Sequence, residues 1–343
     1  MEVIVPRAFA GYQCERSMVC CRWPIHAPVE DADETRLRAT LATTEEGRAL
    51  LPSLGASIEG DAGGRRVFRQ ANGKCVHLAP GAVPACRLQT AAGLAALPIG
   101  CRNFPRLVQL IGPAEAGAPA RAEMSFGLSC PTAARLLSEH TEAYARVTQP
   151  LALEDPYAQD APLQQDDDGA RRALRDAWWA ALRPVRSDPE RLLAALGALL
   201  ETPLAPPDAA ALARLPVSDL VERPPSVTAA IFAVDQLTRS ARGSTYDAQG
   251  QAVLDALLGP ASQAALVAAL SATPEHVAVF VEHGIDLVTF HRDVAPERLL
   301  VLTARRALVI VRIVDALCDR VPFRTPTLFA DAYRALARAD PDI

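Results

Sequence analysis

The chain has 343 residues, half of them hydrophobic, enough to bury one large core or two ordinary ones, and the length favours two domains. A formal net charge of −5 with no Lys/Arg-rich run excludes a chain built to wrap a phosphate backbone, so nucleic acid is not an expected partner. Residues 1–10 lack a signal's basic start and long apolar centre, and the longest apolar stretch, 299–318, is broken by Arg305, Arg306, Arg312 and Asp315; a cytoplasmic protein without a membrane segment is expected.

In chain order, residues 1–10 read as a short extended apolar segment. Cys14 follows, then the adjacent pair Cys20-Cys21, whose side chains would diverge if the backbone is extended. Residues 67–71 and 74–78 flank Asn72-Gly73, a dipeptide suited to the positive φ of a tight hairpin turn, which puts Cys75 beside that turn. A second hairpin is expected from 107–111 and 122–128, joined by the Gly/Pro/Ala-rich stretch 112–119 and separating Cys101 from Cys130. Ser129-Cys130-Pro131-Thr132 reads as a helix start with proline first, placing the Cys130 sulfur near unpaired amides that favour a thiolate.

From about residue 148 the chain reads as helical, with Ala- and Leu-rich periodic segments separated by prolines. The expected division is a cysteine-cluster domain over 1–148, a proline-rich linker or surface loop with an acidic run over 149–168, and a helical domain over 169–343, giving an α+β fold class. Asp188-Pro189-Glu190 and Thr273-Pro274-Glu275 each offer a capping side chain, a first-turn proline and a carboxylate, so both predict helix starts. Leu192, Leu196 and Leu199, then Ile231, Val234 and Leu237, then Leu300, Ala304, Ala307, Val311 and Val314 keep the spacing of buried helix faces. Cys318 at the end of the last is expected in the core.

Seven of eight cysteines, Cys14, Cys20, Cys21, Cys75, Cys86, Cys101 and Cys130, fall in the first 130 residues. In a reducing compartment, clustered thiols point to metal ligation or redox chemistry before structural disulfides. Thiolate is a soft ligand for zinc or an iron–sulfur cluster; each takes four ligands, so seven thiols exceed either need and the count does not separate them. His26 and His77 lie near cysteines as further candidate ligands. There is no Gly-x-Gly-x-x-Gly after a strand, no phosphate-cradling Gly-rich loop ending in Lys-Ser/Thr, and no C-x3-C-x2-C run of the radical S-adenosylmethionine type. Lys74 is the sole lysine, most simply a matter of codon bias.

Taken in order, Cys14, Cys20-Cys21-Arg22-Trp23, Lys74-Cys75-Val76-His77-Leu78, Ala85-Cys86-Arg87-Leu88, Cys101-Arg102-Asn103-Phe104-Pro105-Arg106 and Leu128-Ser129-Cys130-Pro131-Thr132-Ala133-Ala134-Arg135-Leu136-Leu137 resemble the flagellin lysine-N-methylase (FliB) family, within the CxxxCxxCC-type cysteine-cluster proteins. The resemblance covers roughly residues 9–137. It implies a cysteine-bound centre, a 4Fe-4S cluster with zinc as the alternative, and methyl transfer from S-adenosylmethionine to lysine side chains of a protein or peptide substrate. Residues 281–290 look like a degenerate form of the family's late Glu-Asn-x-Leu-x-Asn-Tyr region, with His283 in place of the first asparagine and Thr289-Phe290 in place of the Asn-Tyr pair.

Methylating lysine needs a neutral amine, and free lysine has a pKa near ~10.4, so the site must desolvate it or supply a base. Glu282, His283 and Asp286 are candidates for the base or for substrate contact, 282 and 286 sharing a helical face; the plain alternative is a solvated polar face. Arg102 and Arg106, close to Cys101, are candidates to clamp the cofactor's carboxylate or to stabilise reduced sulfur charge, against ordinary surface ion pairs. Two rival functions stand beside the methyltransferase: a non-enzymatic metal-binding or redox-sensing protein, and a related enzyme acting on another peptide or small molecule.

Overall fold

The computed structural model describes residues 2–15, 18–22, 28–61, 64–72, 74–79, 85–111, 121–150, 169–206, 263–272, 274–291 and 294–317. His26, Cys318, the face Ile231/Val234/Leu237, the connecting stretch 112–119 and nearly all of the expected 149–168 linker lie outside them. The fold is mixed α+β. It divides into two compact units: Met1–Ile4, Tyr12–Thr132 and Thr148–Gln164 form the first, and Val5–Gly11, Ala133–Val147 and Gln165–Ile343 the second. This differs from a simple cut near residue 148, because Phe9 and Tyr144 are claimed by the helical unit, where both rings lie against His283.

The first unit opens with β1 (Glu2–Pro6), followed by α1 (Val19–Arg22), α2 (Asp31–Leu41), α3 (Glu45–Leu54), β2 (Ile58–Gly60) and β3 (Arg66–Phe68). Next come β4 (Gln70–Ala71), β5 (Lys74–Cys75), β6 (Leu78–Ala79), β7 (Ala85–Cys86), α4 (Arg87–Ala92) and α5 (Ile99–Asn103). The hairpin β8 (Arg106–Ile111) and β9 (Arg121–Phe126) follows; α6 (Pro131–Ser138), which lies mostly in the second unit, and β10 (Arg146–Pro150) come next in the chain. The sheet order is β10-β1-β9-β8, with β8 and β9 antiparallel from Arg106↔Phe126 to Ile111↔Arg121. β1 pairs parallel to β9, Val3 opposite Ala122, a long-range pairing that local patterning does not announce.

The Asn72 turn forms as its chemistry requires: Asn72 has φ +53°, and Ala71↔Lys74 and Gln70↔Cys75 pair across it. The strands are shorter than the sequence pattern suggests. Val67 and Phe68 pair with β2 instead, and Leu78 pairs with Cys86. On α2 the glutamate before the helix and Asp33 form a reciprocal capping box, while Leu37 and Leu41 turn inward. They join Met18, Leu54, Phe68, Leu88 and Leu97 in one apolar cluster. Each such leucine contributes about 1.5–3 kcal/mol by leaving water. Gly47 on α3 has no room for a side chain, since a Cβ there would lie 2.2 Å from the Leu41 carbonyl oxygen.

The second unit contains α7 (Gly169–Leu182), α8 (Pro189–Glu201), α9 (Gln263–Ala272), α10 (Pro274–Asp286) and α11 (Pro296–Leu317) among its described residues. Asp188 caps α8 by accepting from the Arg191 amide, with Pro189 in the first turn, and Pro274 opens α10. Leu192, Leu193, Leu196 and Leu199 are fully buried, so α8 is a core helix on more than one face. On α11, Leu300, Ala304, Ala307 and Val311 form the inward stripe that their spacing predicts. At Gly284 a Cβ would meet the Thr303 side chain at 2.4 Å, so glycine permits α10 and α11 to approach closely. Among the described residues no single helix is long and apolar enough to cross a membrane.

Candidate metal centre

Seven cysteines separated by up to 116 positions line one cavity of the first unit, about 230 Å³ in volume. That is more than ten times the ~10–15 Å³ that admits one water. Cys14 is exposed on the irregular segment after Tyr12. Cys20 and Cys21 sit on the single turn of α1, which Cys21 closes by donating its amide to the Met18 carbonyl. This corrects the expectation of an extended, diverging pair: both sulfurs line the cavity and lie 3.9 Å apart. Cys75 ends β5, Cys86 ends β7 at the start of α4, Cys101 lies on α5, and Cys130 precedes Pro131 at the start of α6. The seven are free thiols.

Burial and mutual hydrogen bonding set the thiols apart. Cys86 is lowered to about 7, first by a hydrogen bond from Cys21, then by the Gln89 and Leu88 amides opening α4 and by the Arg87 charge. Cys20 is also lowered, chiefly by Cys21, which itself is raised because its proton serves both neighbours. Burial raises Cys75 and Cys101, and the neighbouring sulfurs add to it. Cys130 precedes Pro131 at the start of α6, the place expected from the sequence, and its sulfur lies 3.5 Å from the Tyr12 hydroxyl.

The rest of the wall is largely apolar, including Met18, Phe68, Leu88, Leu97 and Phe104, with His77, Gln70, Gln89, Tyr12 and Thr132 as polar members. His77 Nε2 lies 2.8 Å from Ser57 Oγ, and burial lowers the imidazole to about 4, so it is neutral near pH 7. Sequence reasoning missed Gln70 and Tyr12. The turn centred on Asn72 dictates that Gln70 faces Cys75, a signal that was present; Tyr12 has only its nearness to Cys14 to mark it.

Soft donors in excess of four, on an apolar wall, fit zinc or an iron–sulfur cluster in type and number. Cys21, Cys75, Cys86 and Cys101 pack into or against the one apolar cluster, and the Cys20 sulfur lies 3.9 Å from that of Cys21. Among the described residues, no three His, Cys, Asp or Glu side chains are already drawn to the spacing of a coordination shell. Ligation therefore requires the thiols to close further around the guest.

The expected cofactor clamp is placed differently. Arg102 is buried, 4.0 Å from Asp33, and the Arg106 guanidinium lies 5.0 Å over the Tyr12 ring. Neither lines the cavity, and its described wall carries no arginine or lysine. Arg102 is therefore a buried group facing Asp33 and not a surface ion pair.

Glu282, His283 and Asp286 belong to the second unit and are each at most 3% exposed, which corrects the reading of a solvated face. Asp286 accepts from Arg146 at 2.8 and 3.0 Å and from the Tyr144 hydroxyl at 3.2 Å, with Arg175 3.7 Å away. Glu282 accepts from the Tyr144 amide at 3.1 Å and faces Arg186 at 3.7 Å; burial nonetheless raises its carboxyl. His283 Nδ1 meets the Tyr144 hydroxyl at 3.0 Å. The helical spacing brings the three together as anchors for Tyr144 and Arg146, and none lines the thiol cavity.

No family model matches the chain, and no curated protein or solved structure matches it either.

Proposed function

We propose that the chain is a thiolate-bound metal protein holding an iron–sulfur centre, 4Fe-4S in type, in the cysteine-lined cavity. The observation that carries this reading is the convergence of seven sequence-distant thiols on one cavity. When bound, such a centre supplies redox capacity and a Lewis-acidic iron. The chain's own contribution would be to hold it: the α4 amides favour the Cys86 thiolate, and Cys20, Cys75 and Cys101 would give up their protons on ligation. Phe68, Leu88 and Leu97 make the wall beside the sulfurs apolar. His77, neutral and oriented by Ser57, is available on the same wall.

The reaction we assign is methyl transfer from S-adenosylmethionine to lysine side chains of a protein or peptide, supported by the ordered motifs from Cys14 to Leu137. A specific observation favours a second reading, a non-enzymatic metal-binding or redox-sensing protein. The carboxylates and imidazole that would manage protons are buried and engaged with Tyr144 and Arg146, and such a protein needs no base. Anaerobically purified protein, incubated with methyl-labelled S-adenosylmethionine and a lysine-rich acceptor, separates the two. Label in lysine, lost in Cys101→Ser, supports the enzyme; a metal-loaded protein that neither binds the cofactor nor transfers label supports the second reading.

A further inference from the structure

The seven thiols do not occupy equivalent surroundings. Cys21, Cys75, Cys86 and Cys101 pack into or against the apolar cluster built from Leu37, Leu88 and Leu97, and Cys20 lies 3.9 Å from Cys21. These five sit on α1, β5, β7 and α5. Cys130 is held elsewhere: its sulfur meets the Tyr12 hydroxyl at 3.5 Å, and the Tyr12 ring packs on Phe126 of β9, 4.8 Å between centroids, with Arg106 over it. The Tyr12 segment is itself tied to the start of α6, where Thr132 donates to Glu15 at 3.1 Å. Cys14, two residues from Tyr12, is the exposed member.

Resting on the reading of a metal centre, we propose a division of labour: Cys20, Cys21, Cys75, Cys86 and Cys101 form the metal-holding set, whereas Tyr12, Cys14 and Cys130 form a non-ligating rim of the cavity. The number of thiols agrees. A zinc or cubane site takes four ligands, and the inner set supplies five without recourse to the rim. The geometry follows the same line: the Tyr12 hydroxyl is already matched to the Cys130 sulfur at 3.5 Å, a contact that ligation of Cys130 would break.

The test compares full-length variants purified anaerobically, with metal and sulfide per chain, visible absorption and circular dichroism measured on each. Cys14→Ser, Cys130→Ser and Tyr12→Phe should keep the wild-type metal ratio and absorption. The double variant Cys86→Ser/Cys101→Ser should fall below about a tenth of it, because three inner thiols cannot complete a four-ligand site. In the loaded wild type, N-ethylmaleimide followed by peptide mass mapping should modify Cys14 and spare the inner five. Loss of metal from folded Cys130→Ser or Cys14→Ser, with the wild type loaded, overturns the division and leaves the metal centre standing. A wild type that takes up no metal overturns both.

Discussion

The two units differ in what their clustered polar groups have left to do. In the helical unit the buried acids described are matched: Asp286 faces Arg146, Arg175 and Tyr144, and Glu282 faces Arg186 and the Tyr144 amide. The first unit matches its buried Asp33 with Arg102 and its His77 with Ser57 in the same way, but it also gathers sulfurs that bond only weakly around a cavity, leaving their strongest chemistry unspent. Burial and proximity therefore do not by themselves mark a site. A buried charge whose partners are satisfied is architecture; a group of soft donors facing a void has ligation left to do.

The largest expected break of this contrast is Asp286→Ala, which removes the buried carboxylate that the Arg146 guanidinium donates to. Removing one partner of a buried ion pair costs about 3–5 kcal/mol. Urea unfolding should show that loss, and the fraction that remains folded should keep its full metal ratio. If Asp286 served the centre, metal content and stability would fall together.

Gly284→Ala comes next. Its Cβ would press on Thr303 at 2.4 Å, and overpacking of this kind costs about 1–3 kcal/mol. Thr303→Ser in the same chain removes the nearest carbon and should recover part of the loss in thermal melts. Full additivity of the two changes would show that the helices do not meet there.

The smallest effect is a pH dependence at Glu282. Burial raises its folded-state carboxyl above the unfolded value of about 4.3, so the protonated form is the one folding favours. The contribution is present below pH ~4.3 and lost as pH rises through the folded pKa. Glu282→Gln, which cannot ionise, should gain in melting temperature relative to wild type as pH goes from 4 to 7. A difference that shrinks over that range would show that Arg186 outweighs burial.

These residues also show what was legible in advance. The turn at Asn72, the β8–β9 hairpin, the cap at Asp188, the helix start at Pro274 and the stripe of α11 follow from local chemistry, and each forms. The gathering of cysteines was visible as a count and a scatter. The parallel pairing of β1 with β9 and the transfer of Phe9 and Tyr144 to the helical unit were not, because partners more than a hundred positions apart leave no local period. The same distance hid the role of Glu282 and Asp286: spacing placed them on one helical face, but Tyr144 and Arg146, which decide that the face is buried, lie about 140 positions upstream. At Cys20-Cys21 an extended backbone was the natural expectation for adjacent thiols, and a single helical turn overrode it.

The most direct measurement is iron, zinc and acid-labile sulfide per chain in protein purified without oxygen, with its visible spectrum before and after a chelator. Iron and sulfide in equal, near-integral amounts, with thiolate-to-iron absorption that disappears on chelation, are the predicted result. A folded protein with eight titratable thiols, no metal, and no uptake on reconstitution with iron and sulfide or with zinc would contradict it.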